Sequence, residues 1–434
     1  MTPSKRLGVC ALIIAGLGLL TAFQLLSPAV WLALAVLYGC ATLADLVILR
    51  VEQAPHLTRH LPSSLPVGVP ATVRLQLENR TARPRAALLH DLHPHSVKAA
   101  HLPLKVILPA SSTSHWDYRI WPSERGDQVF RALHCTIASP LGLWWYRHML
   151  QKVSTVRVYP NFAAMSRYAM LASENRLVAI GVRKKRRRGL GSEFQQLREF
   201  RQGDSLRQID WRAMARTRKL IAREYQDERD QTILFLLDCG RRMRAKDGEL
   251  THFDESLNAL LLLAYVALRK GDAVGVGTFA GENRWLSPLK GHAGVNRLLN
   301  QLYDVQPGLN TPDYAQMAIN ILARHKKHAL VIIITNLRDE DAVDLQAAVA
   351  TLARRHSILV ASTREEAIDH LADQPVAGFS DALRITAAHH YTKSRLACLN
   401  RLRAGGVACL DVAPGKLSTE LINTYLAMKA SGAI

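Results

Sequence analysis

The chain has 434 residues, which is more than one ordinary hydrophobic core holds and favours two or three domains. Hydrophobic residues make up 48% and charged residues 21%, so the composition excludes an intrinsically disordered chain. The formal net charge of +20 allows nucleic acid, anionic lipid or an acidic protein as a partner, and its sign alone does not choose among them.

The N-terminal region is almost continuously apolar, with Asp45 as the one charge inside it. As a single helix this region would be about 60 Å long, roughly twice the thickness of a bilayer core. Ser27 and Pro28 lie at its midpoint, and proline interrupts a helix there. The sequence therefore predicts a transmembrane helical hairpin over residues 1–52, with spans at residues 7–26 and 29–49.

Basic residues flank both ends of this hairpin. Lys5 and Arg6 precede the first span, Arg50 and Arg59 follow the second, and the connector is uncharged. Because basic residues are retained on the cytoplasmic side, we expect a multi-pass protein of the bacterial inner membrane with its soluble body in the cytoplasm. A cleaved signal peptide is the alternative, and the second apolar span argues against it. Asp45, close to the end of the second span, is expected to reach the lipid headgroups.

Residues 56–160 are predicted to form a small β-sandwich-like domain, because alternating segments such as VRLQLEN are separated by turn residues. Residues 161–230 are interpreted as a basic linker and a signature segment. Six consecutive basic residues in the linker begin at Arg183 and end at Arg188, and anionic lipid or an acidic partner can bind such a run. A nucleic-acid site is disfavoured, because aromatic side chains do not alternate with these charges.

Buried strands alternate with helices over residues 231–434. The predicted strands are TILFLLD, AVGVGTF, ALVIIIT, SILVAS and GVACLDV. The predicted helices lie near residues 254–269, 294–303, 311–325, 341–354, 386–403 and 417–429. This alternation predicts an α/β fold with a doubly wound parallel sheet. Ligands of such sheets bind beyond the carboxyl ends of the strands, so functional residues are expected after Asp238, Phe279, Thr335 and Ser362.

The segment over residues 189–228 is dense in paired charges. Gly203 and Asp204 predict a turn followed by a helix N-cap. Four residues of the helix that would follow share one face: Arg207, Asp210, Trp211 and Met214. This spacing predicts a partly buried ion pair covered by the indole ring. The alternative is a structural clip between the β-sandwich-like domain and the α/β domain.

The order EFxxLREFxxGDxxRxIDWxxxART, followed by a strand ending at Asp238, resembles the signature of the domain of unknown function 58 family. The upstream sequences ERGDQVF and SPLGLWWYR are similar to that family as well. The resemblance implies a von Willebrand factor A-like domain and a partnership with MoxR-type AAA+ ATPases. The signature positions interpreted as interaction residues are Glu193, Arg198, Gly203, Asp204, Arg207, Asp210, Trp211 and Arg216.

Domains of the von Willebrand factor A type usually hold a divalent cation through DxSxS, a threonine and a later aspartate. Here Asp238 aligns with the first position, but Gly240 and Arg242 replace the two serines, and Asn336 stands where the last aspartate is expected. Asp238 and Thr311 would remain as ligands. Arg242 and its basic neighbour would repel a cation, and one of them can pair with Asp238 instead. We therefore expect neither a bound metal nor another cofactor, and Mg²⁺ is the ion that such a site would take.

No enzyme motif is complete in the sequence. GxSxG is absent, and GLGSE lacks the lysine of a phosphate-binding loop. The six cysteines show no CxxC spacing, which indicates a reducing compartment. The expected function is that of a membrane-anchored, non-enzymatic interaction protein that docks a MoxR-type AAA+ ATPase during assembly or maturation of other proteins. The alternatives are a metal-dependent recognition module and a basic nucleic-acid binder.

Overall fold

The computed structural model describes residues 1–161, 193–200, 209–226, 231–248, 250–291 and 293–433. The chain divides into two compact units, Met1–Tyr159 and Pro160–Ile434. The predicted lipid-binding run from Arg183 to Arg188 lies outside the described residues, as do the signature residues Gly203, Asp204 and Arg207.

The first unit begins with two apolar helices, α1 (Lys5–Ala22) and α2 (Pro28–Val51). Pro28 occupies the first helical position of α2, where its missing N–H has no helical partner to lose. The helices lie side by side, since Trp31 Nε1 donates to the carbonyl of Ile14 at 2.9 Å and the Tyr38 hydroxyl donates to the carbonyl of Leu7 at 2.8 Å. Both are long and apolar enough to cross a membrane.

The strands of this unit are β1 (Thr2–Pro3), β2 (His56–His60), β3 (Ser64–Pro66), β4 (Ala71–Asn79), β5 (Arg85–Asp91), β6 (Val97–Ala99), β7 (Leu104–Leu108), β8 (Ser112–Pro122), β9 (Gly126–Ala138) and β10 (Trp144–Tyr159). One sheet has the order β1-β10-β9-β5-β7, with β3 beside β10, and the other has the order β2-β4-β8-β6. Alternate residues such as Leu75 and Leu77 of β4 are fully buried, as expected for strands with one face in a core.

A buried ion pair links the two sheets. Arg59 on β2 donates to the Asp91 carboxylate at the end of β5, with N–O distances of 2.5 and 3.0 Å. The Tyr118 hydroxyl, from β8, donates to the same carboxylate at 2.6 Å. The side chains of Arg59 and Asp91 are completely inaccessible to solvent.

Asp45 corrects one expectation about the hairpin. Its side chain is not free to extend from the helix, because the residue is only 1% exposed and faces the turn between β9 and β10. It accepts hydrogen bonds from Ser139 Oγ at 2.5 Å and from the N–H groups of Leu141 and Leu143 at 2.9 and 3.4 Å. Asp45 therefore fastens α2 to the β unit.

The second unit opens with an antiparallel strand pair, β11 (Glu193–Glu199) and β12 (Ile221–Gln226). Between these strands lies the short helix α3 (Trp211–Thr217). The signature residues that the structure describes lie on this strand pair or between its strands.

A six-stranded sheet forms the centre of this unit. Its strands are β13 (Thr232–Asp238), β14 (Ala273–Phe279), β15 (Trp285–Leu289), β16 (Leu330–Thr335), β17 (Ser357–Thr363) and β18 (Ala408–Val412). The order is β15-β14-β13-β16-β17-β18, and all neighbours are parallel except β15 with β14. The predicted mixed α/β class is confirmed.

The helices of this unit lie between or after these strands: α4 (His252–Arg269), α5 (Ala293–Leu302), α6 (Tyr314–Arg324), α7 (Ala342–Ala353), α8 (Glu366–Ala372), α9 (Phe379–Ala404) and α10 (Leu417–Ser431). Short 3-10 turns occupy Arg241–Arg244, Asp339–Asp341 and Pro414–Lys416. Leu234 and Leu236 of β13 share a core with α6, α7 and α9. Their neighbours Ile233 and Phe235, which point to the opposite face, are equally buried. Both faces are covered, which explains the continuous apolar runs of the strands.

Two predicted helices begin elsewhere. The helix expected from residue 311 begins at Tyr314, because Asp313 is its N-cap and accepts a hydrogen bond from the Gln316 N–H at 2.8 Å. The helix expected from residue 386 begins at Phe379. Its first turns leave Phe379 and Leu383 exposed, so they lack the apolar periodicity from which a helix is predicted.

Candidate functional site

Asp238 ends β13 at the carboxyl edge of the sheet and is only 1% exposed. Its Oδ2 accepts a hydrogen bond from Thr335 Oγ1 at 2.6 Å, and its Oδ1 accepts one from the Gly240 N–H at 2.7 Å. Burial raises the pKa of the Asp238 carboxyl, and these two hydrogen bonds oppose that rise. Both carboxylate oxygens are therefore engaged by protein groups.

Thr335, rather than Thr311, supplies the hydroxyl group beside Asp238. Thr311 is exposed and precedes the N-cap of α6, whereas Thr335 is fully buried at the end of β16. The parallel register places Ile334 opposite Leu237, which brings Thr335 level with Asp238. The Thr335 hydroxyl also lies 3.0 Å from the Tyr314 hydroxyl. The pairing depends on strand register, which sequence spacing does not reveal.

Gly240 is in close contact with the loop that follows α5. A Cβ atom added to Gly240 would lie 2.9 Å from the carbonyl oxygen of Asn310 and 3.0 Å from Asp238 Oδ1. The same carbonyl accepts a hydrogen bond from the Arg241 N–H at 3.0 Å. The position that carries a serine in the usual cation motif thus has no room for a side chain.

Arg242 contacts carboxylates, but not that of Asp238. Its guanidinium group pairs with Asp341 and also lies 3.0 Å from the Glu340 carboxylate. Both acidic residues belong to the 3-10 turn that follows β16. We expected an ion pair between Asp238 and one of its neighbouring arginines. Arg242 does not form it, because its side chain extends to the loop after β16 and pairs with the carboxylates there.

The residues at this edge do not fit a magnesium ion. Mg²⁺ requires nearly octahedral oxygen ligands, and the oxygens of Asp238 already accept hydrogen bonds. Asn336 Oδ1 is buried without a hydrogen-bond partner among the described residues, but one amide oxygen does not complete a ligand set. Within the described ranges, no three His, Cys, Asp or Glu side chains are arranged to hold a metal ion.

A buried histidine lies next to Asn336. His252, the first residue of α4, is 1% exposed, and its Nε2 is 2.8 Å from the Asp247 carboxylate. Its Nδ1 is 3.1 Å from Thr363 Oγ1 and 3.3 Å from Asn336 Nδ2. Thr363, His252 and Asp247 are thus linked in the same order as the hydroxyl, histidine and carboxylate groups of a catalytic triad. However, Thr363 is completely buried, so the hydroxyl is not accessible to a substrate.

Glu365 extends this network toward α9. Its carboxylate accepts hydrogen bonds from Tyr391 at 2.5 Å and from Arg338 at 2.8 Å. Burial alone would raise the pKa of Glu365, but these hydrogen bonds hold it below its ordinary value. The Glu365 carboxyl therefore stays ionised, and the guanidinium group of Arg338 balances its charge.

Arg395 joins three elements from inside the protein. It is 3% exposed and donates to Ser362 Oγ at 2.7 Å and to the Asp411 carboxylate at 2.7 Å, and it also bonds the carbonyl of Leu337. Our sequence reasoning missed Arg395, His252 and Glu365. His252 had a signal, since the capping box formed by Thr251 and Asp254 marks a helix start there.

Exposed aliphatic side chains lie around this edge of the sheet, whose polar groups are hydrogen-bonded within the protein. Leu309 is 73% exposed and precedes Asn310, whose carbonyl group covers Gly240. Val343 is 69% exposed in the first turn of α7, next to the 3-10 turn that binds Arg242. We call Leu309 and Val343 the apolar pair. The edge combines buried polar groups that pair internally with apolar groups that face solvent.

The signature segment is described over residues 193–200 and 209–226. Asp210 is the N-cap of α3 and accepts hydrogen bonds from the N–H groups of Arg212 and Ala213, both at 3.0 Å. The helix α3 therefore begins at Trp211. The predicted helix face includes Arg207, which lies outside the described residues, so that face stays a prediction. Trp211 itself is 65% exposed.

The remaining signature residues are placed on neighbouring elements. Glu193 and Arg198 belong to β11, where they are paired with Gln226 and Ala222 of β12. Arg216 is exposed in the last turn of α3, where a positive charge favours the helix terminus. The described signature residues thus lie on one strand pair and its helix.

A serine at position 240 tests whether this edge can regain a cation site. We expect Gly240→Ser to destabilise the protein by about 1 to 3 kcal/mol, because the new side chain overlaps the Asn310 carbonyl. We also expect no rise in its melting temperature in millimolar Mg²⁺. Thermal unfolding with and without Mg²⁺ measures both effects. Gly248→Ser is the control, since a Cβ there meets nothing within 4 Å. A magnesium-dependent stabilisation of Gly240→Ser would contradict the conclusion that the residues at this edge do not fit a magnesium ion.

Comparison with protein families identifies one match. The family model described as "Protein of unknown function DUF58" matches residues 196–395. The matched stretch begins in β11 and ends in α9, so it contains Asp238, the apolar pair and Arg395. The predicted resemblance to this family is confirmed.

Other comparisons add no argument about function. No curated protein matches the chain. Native E. coli alpha-2-macroglobulin is similar at 16% identity and a TM-score of 0.21, covering 25% of this chain and 7% of that one. Salmonella alpha-2-macroglobulin reacted with methylamine is similar at 16% identity and a TM-score of 0.20, covering 24% and 7%. The chain thus spans 7% of the length of these two proteins, and such scores are too low to relate the folds.

Proposed function

We propose, starting from the membership of residues 196–395 in the DUF58 family, that this protein is a membrane-anchored, non-enzymatic docking protein. Its α/β unit, of von Willebrand factor A-like type, binds a MoxR-type AAA+ ATPase during assembly or maturation of other proteins. The ATPase partnership comes from the family resemblance.

The main support for the proposal is the carboxyl edge of the sheet, where buried polar groups already have hydrogen-bond partners within the protein. A catalytic site needs reactive groups that a substrate can reach, whereas Asp238, His252 and Thr363 are buried and bonded to one another or to their neighbours. Leu309 and Val343 are instead exposed beside this edge. Exposed aliphatic residues around a rigid, internally bonded edge are suited to contact with another protein.

The apolar hairpin supports the membrane part of the proposal. Helices α1 and α2 have the length and composition of membrane spans. Lys5 and Arg6 at the start and Arg50 at the end favour a cytoplasmic location of both hairpin ends, where an ATPase and its ATP are present. Protease accessibility of the body in inverted and right-side-out vesicles measures this orientation.

Co-purification tests the docking itself. The full-length protein, extracted in mild detergent, is expected to retain the MoxR-type ATPase with which it is co-expressed. The double variant Leu309→Asp with Val343→Asp is expected to lose most of the captured ATPase, because two carboxylates replace the apolar contact. Ile319→Asp is the matched control, since Ile319 is 59% exposed on α6. Failure of the unmodified protein to enrich the ATPase would refute the proposal, and equal capture by all variants would refute this docking surface.

A further inference from the structure

The turn between β9 and β10, residues 139–144, is bound to both ends of the hairpin. On the side of α1, the Ser4 N–H donates to the carbonyl of Leu143 at 2.9 Å, and Ser4 Oγ donates to the carbonyl of Gly142 at 2.6 Å. On the side of α2, Asp45 accepts the three hydrogen bonds described above, and Trp144 Nε1 donates to the carbonyl of Thr42 at 3.1 Å. We call residues 139–144 the clamp turn.

The lengths of the helices fix the depth of the clamp turn relative to the hairpin. Helix α1 has 18 residues from Lys5, next to the clamp turn, so its far end is about 27 Å away. Along α2, the rise from Pro28 to Asp45 is roughly 26 Å. The hydrocarbon core of a bilayer is about 30 Å thick, and any tilt of the helices shortens their vertical reach further. A hairpin that crosses this core therefore carries the clamp turn to its boundary.

The apolar surface of α2 continues beyond the level of the clamp turn. Val47 and Ile48 follow Asp45 along the helix, before Arg50, and are 52% and 41% exposed. These side chains extend the apolar band by several ångströms past the contact with Asp45. The clamp turn is thus beside the apolar part of α2 and not beyond its end.

The backbone N–H groups of the clamp turn are all bonded within the protein. Asp45 accepts from Leu141 and Leu143, the Gly142 N–H donates to the Ser139 carbonyl, and the Trp144 N–H donates to Ser139 Oγ. The Ser139 N–H donates to the carbonyl of Trp144, and residue 140 is a proline. An element that leaves water must satisfy its backbone groups internally, and the N–H groups of this turn do so.

The side chains of this region have the character of a membrane interface. Leu141 projects from the clamp turn and is 56% exposed. Trp144, Trp145 and Tyr146 follow it and are half-buried. Tryptophan and tyrosine concentrate at the boundary between headgroups and hydrocarbon, where the ring is apolar and its polar atom remains bonded.

We infer that the clamp turn is a third membrane-contacting element, which inserts into the interfacial layer of the bilayer beside α1 and α2. Leu141 and the aromatic residues at the start of β10 contact lipid. Asp45 is the residue that holds the turn at this depth. The inference rests on the membrane part of the proposed function. It adds that the β unit is seated in the bilayer surface and is not merely tethered to it.

Quenching of tryptophan by lipids brominated near the headgroup tests this inference on the full-length protein in liposomes. We expect Leu141→Trp to add emission that the brominated lipid quenches. Val153→Trp is the matched control, because Val153 is 69% exposed on the same strand, roughly 30 Å along β10 from Trp144. Its added emission is expected to remain unquenched. If Leu141→Trp does not fold, Trp145→Phe takes its place. Trp145→Phe is expected to lower the amount of native emission that the brominated lipid quenches. Trp121→Phe is its control and is expected to leave that amount unchanged.

Trp31 distinguishes failure of this inference from failure of the membrane anchor. Trp31 lies within the hairpin on α2, so Trp31→Phe is expected to remove part of the emission quenched by lipids brominated deep in the acyl chains. Quenching at Trp31 without quenching at position 141 or 145 would overturn the inference and leave the anchor intact. Absence of quenching at Trp31 would overturn the anchor as well.

Discussion

Asp91→Ala is expected to destabilise the β unit by about 3 to 5 kcal/mol. The substitution leaves the Arg59 guanidinium group buried without its counter-charge and removes the acceptor of the Tyr118 hydroxyl. Arg59 keeps hydrogen bonds to the carbonyls of Phe130 and Lys152, which satisfy some of its donors but not its charge. Thermal or denaturant unfolding in detergent measures the loss.

Two further variants separate the buried ion pair from the loss of any carboxylate. Asp117→Ala removes an exposed carboxylate paired with Arg74 in the same unit, and we expect no resolvable change. Arg59→Met combined with Asp91→Leu removes both buried charges, and we expect it to be less destabilising than Asp91→Ala alone. An equal loss in Asp91→Ala and Asp117→Ala would contradict the role assigned to the pair.

Asp272→Ala is expected to cost a similar amount, about 3 to 5 kcal/mol, in the α/β unit. The Asp272 side chain is completely buried and accepts hydrogen bonds from Lys429 Nζ at 2.6 and 2.7 Å and from the Tyr425 hydroxyl. It also accepts from the Gln231 N–H at 3.2 Å, directly before β13. Without Asp272, the ammonium group of Lys429 is buried and unpaired, and α10 loses the hydrogen bonds of Lys429 and Tyr425 to the loop before β14.

Hydrogen exchange locates this effect. The amides of α10 are expected to exchange faster in Asp272→Ala than those of β13 and β16, because local opening of the last helix relieves the buried charge. Asp369→Ala is the control, since Asp369 forms an exposed pair with Arg364 at 3.7 Å and its loss costs about 0 to 1 kcal/mol. Unchanged protection of α10 in Asp272→Ala would refute the anchoring role of Asp272.

Long-range contacts account for the corrections to the predicted site. Asp238 was identified from its place after an apolar strand, but its partner Thr335 is 97 residues away in the chain. Arg242 meets Asp341 across 99 residues. Both pairings follow from the order and register of parallel strands, which local spacing does not encode. Thr311 and a direct bond between Arg242 and Asp238 were reasonable expectations from neighbouring residues alone.

In the N-terminal hairpin, too, the local features were predictable from the sequence and the long-range contact was not. Composition and the proline at position 28 were sufficient to predict two apolar helices, because helix length and interruption depend on local chemistry. The partner of Asp45 was not predictable, since Ser139 is 94 residues away.

The sequence by itself determined the apolar helices, the α/β alternation and the family signature, because each depends on residue type and local periodicity. Only the tertiary structure decided which polar groups meet: Asp45 with the clamp turn, Asp91 with Arg59, and Asp238 with Thr335 and Gly240. A buried polar group must find a partner wherever the fold brings one, and that choice is made by packing rather than by spacing along the chain.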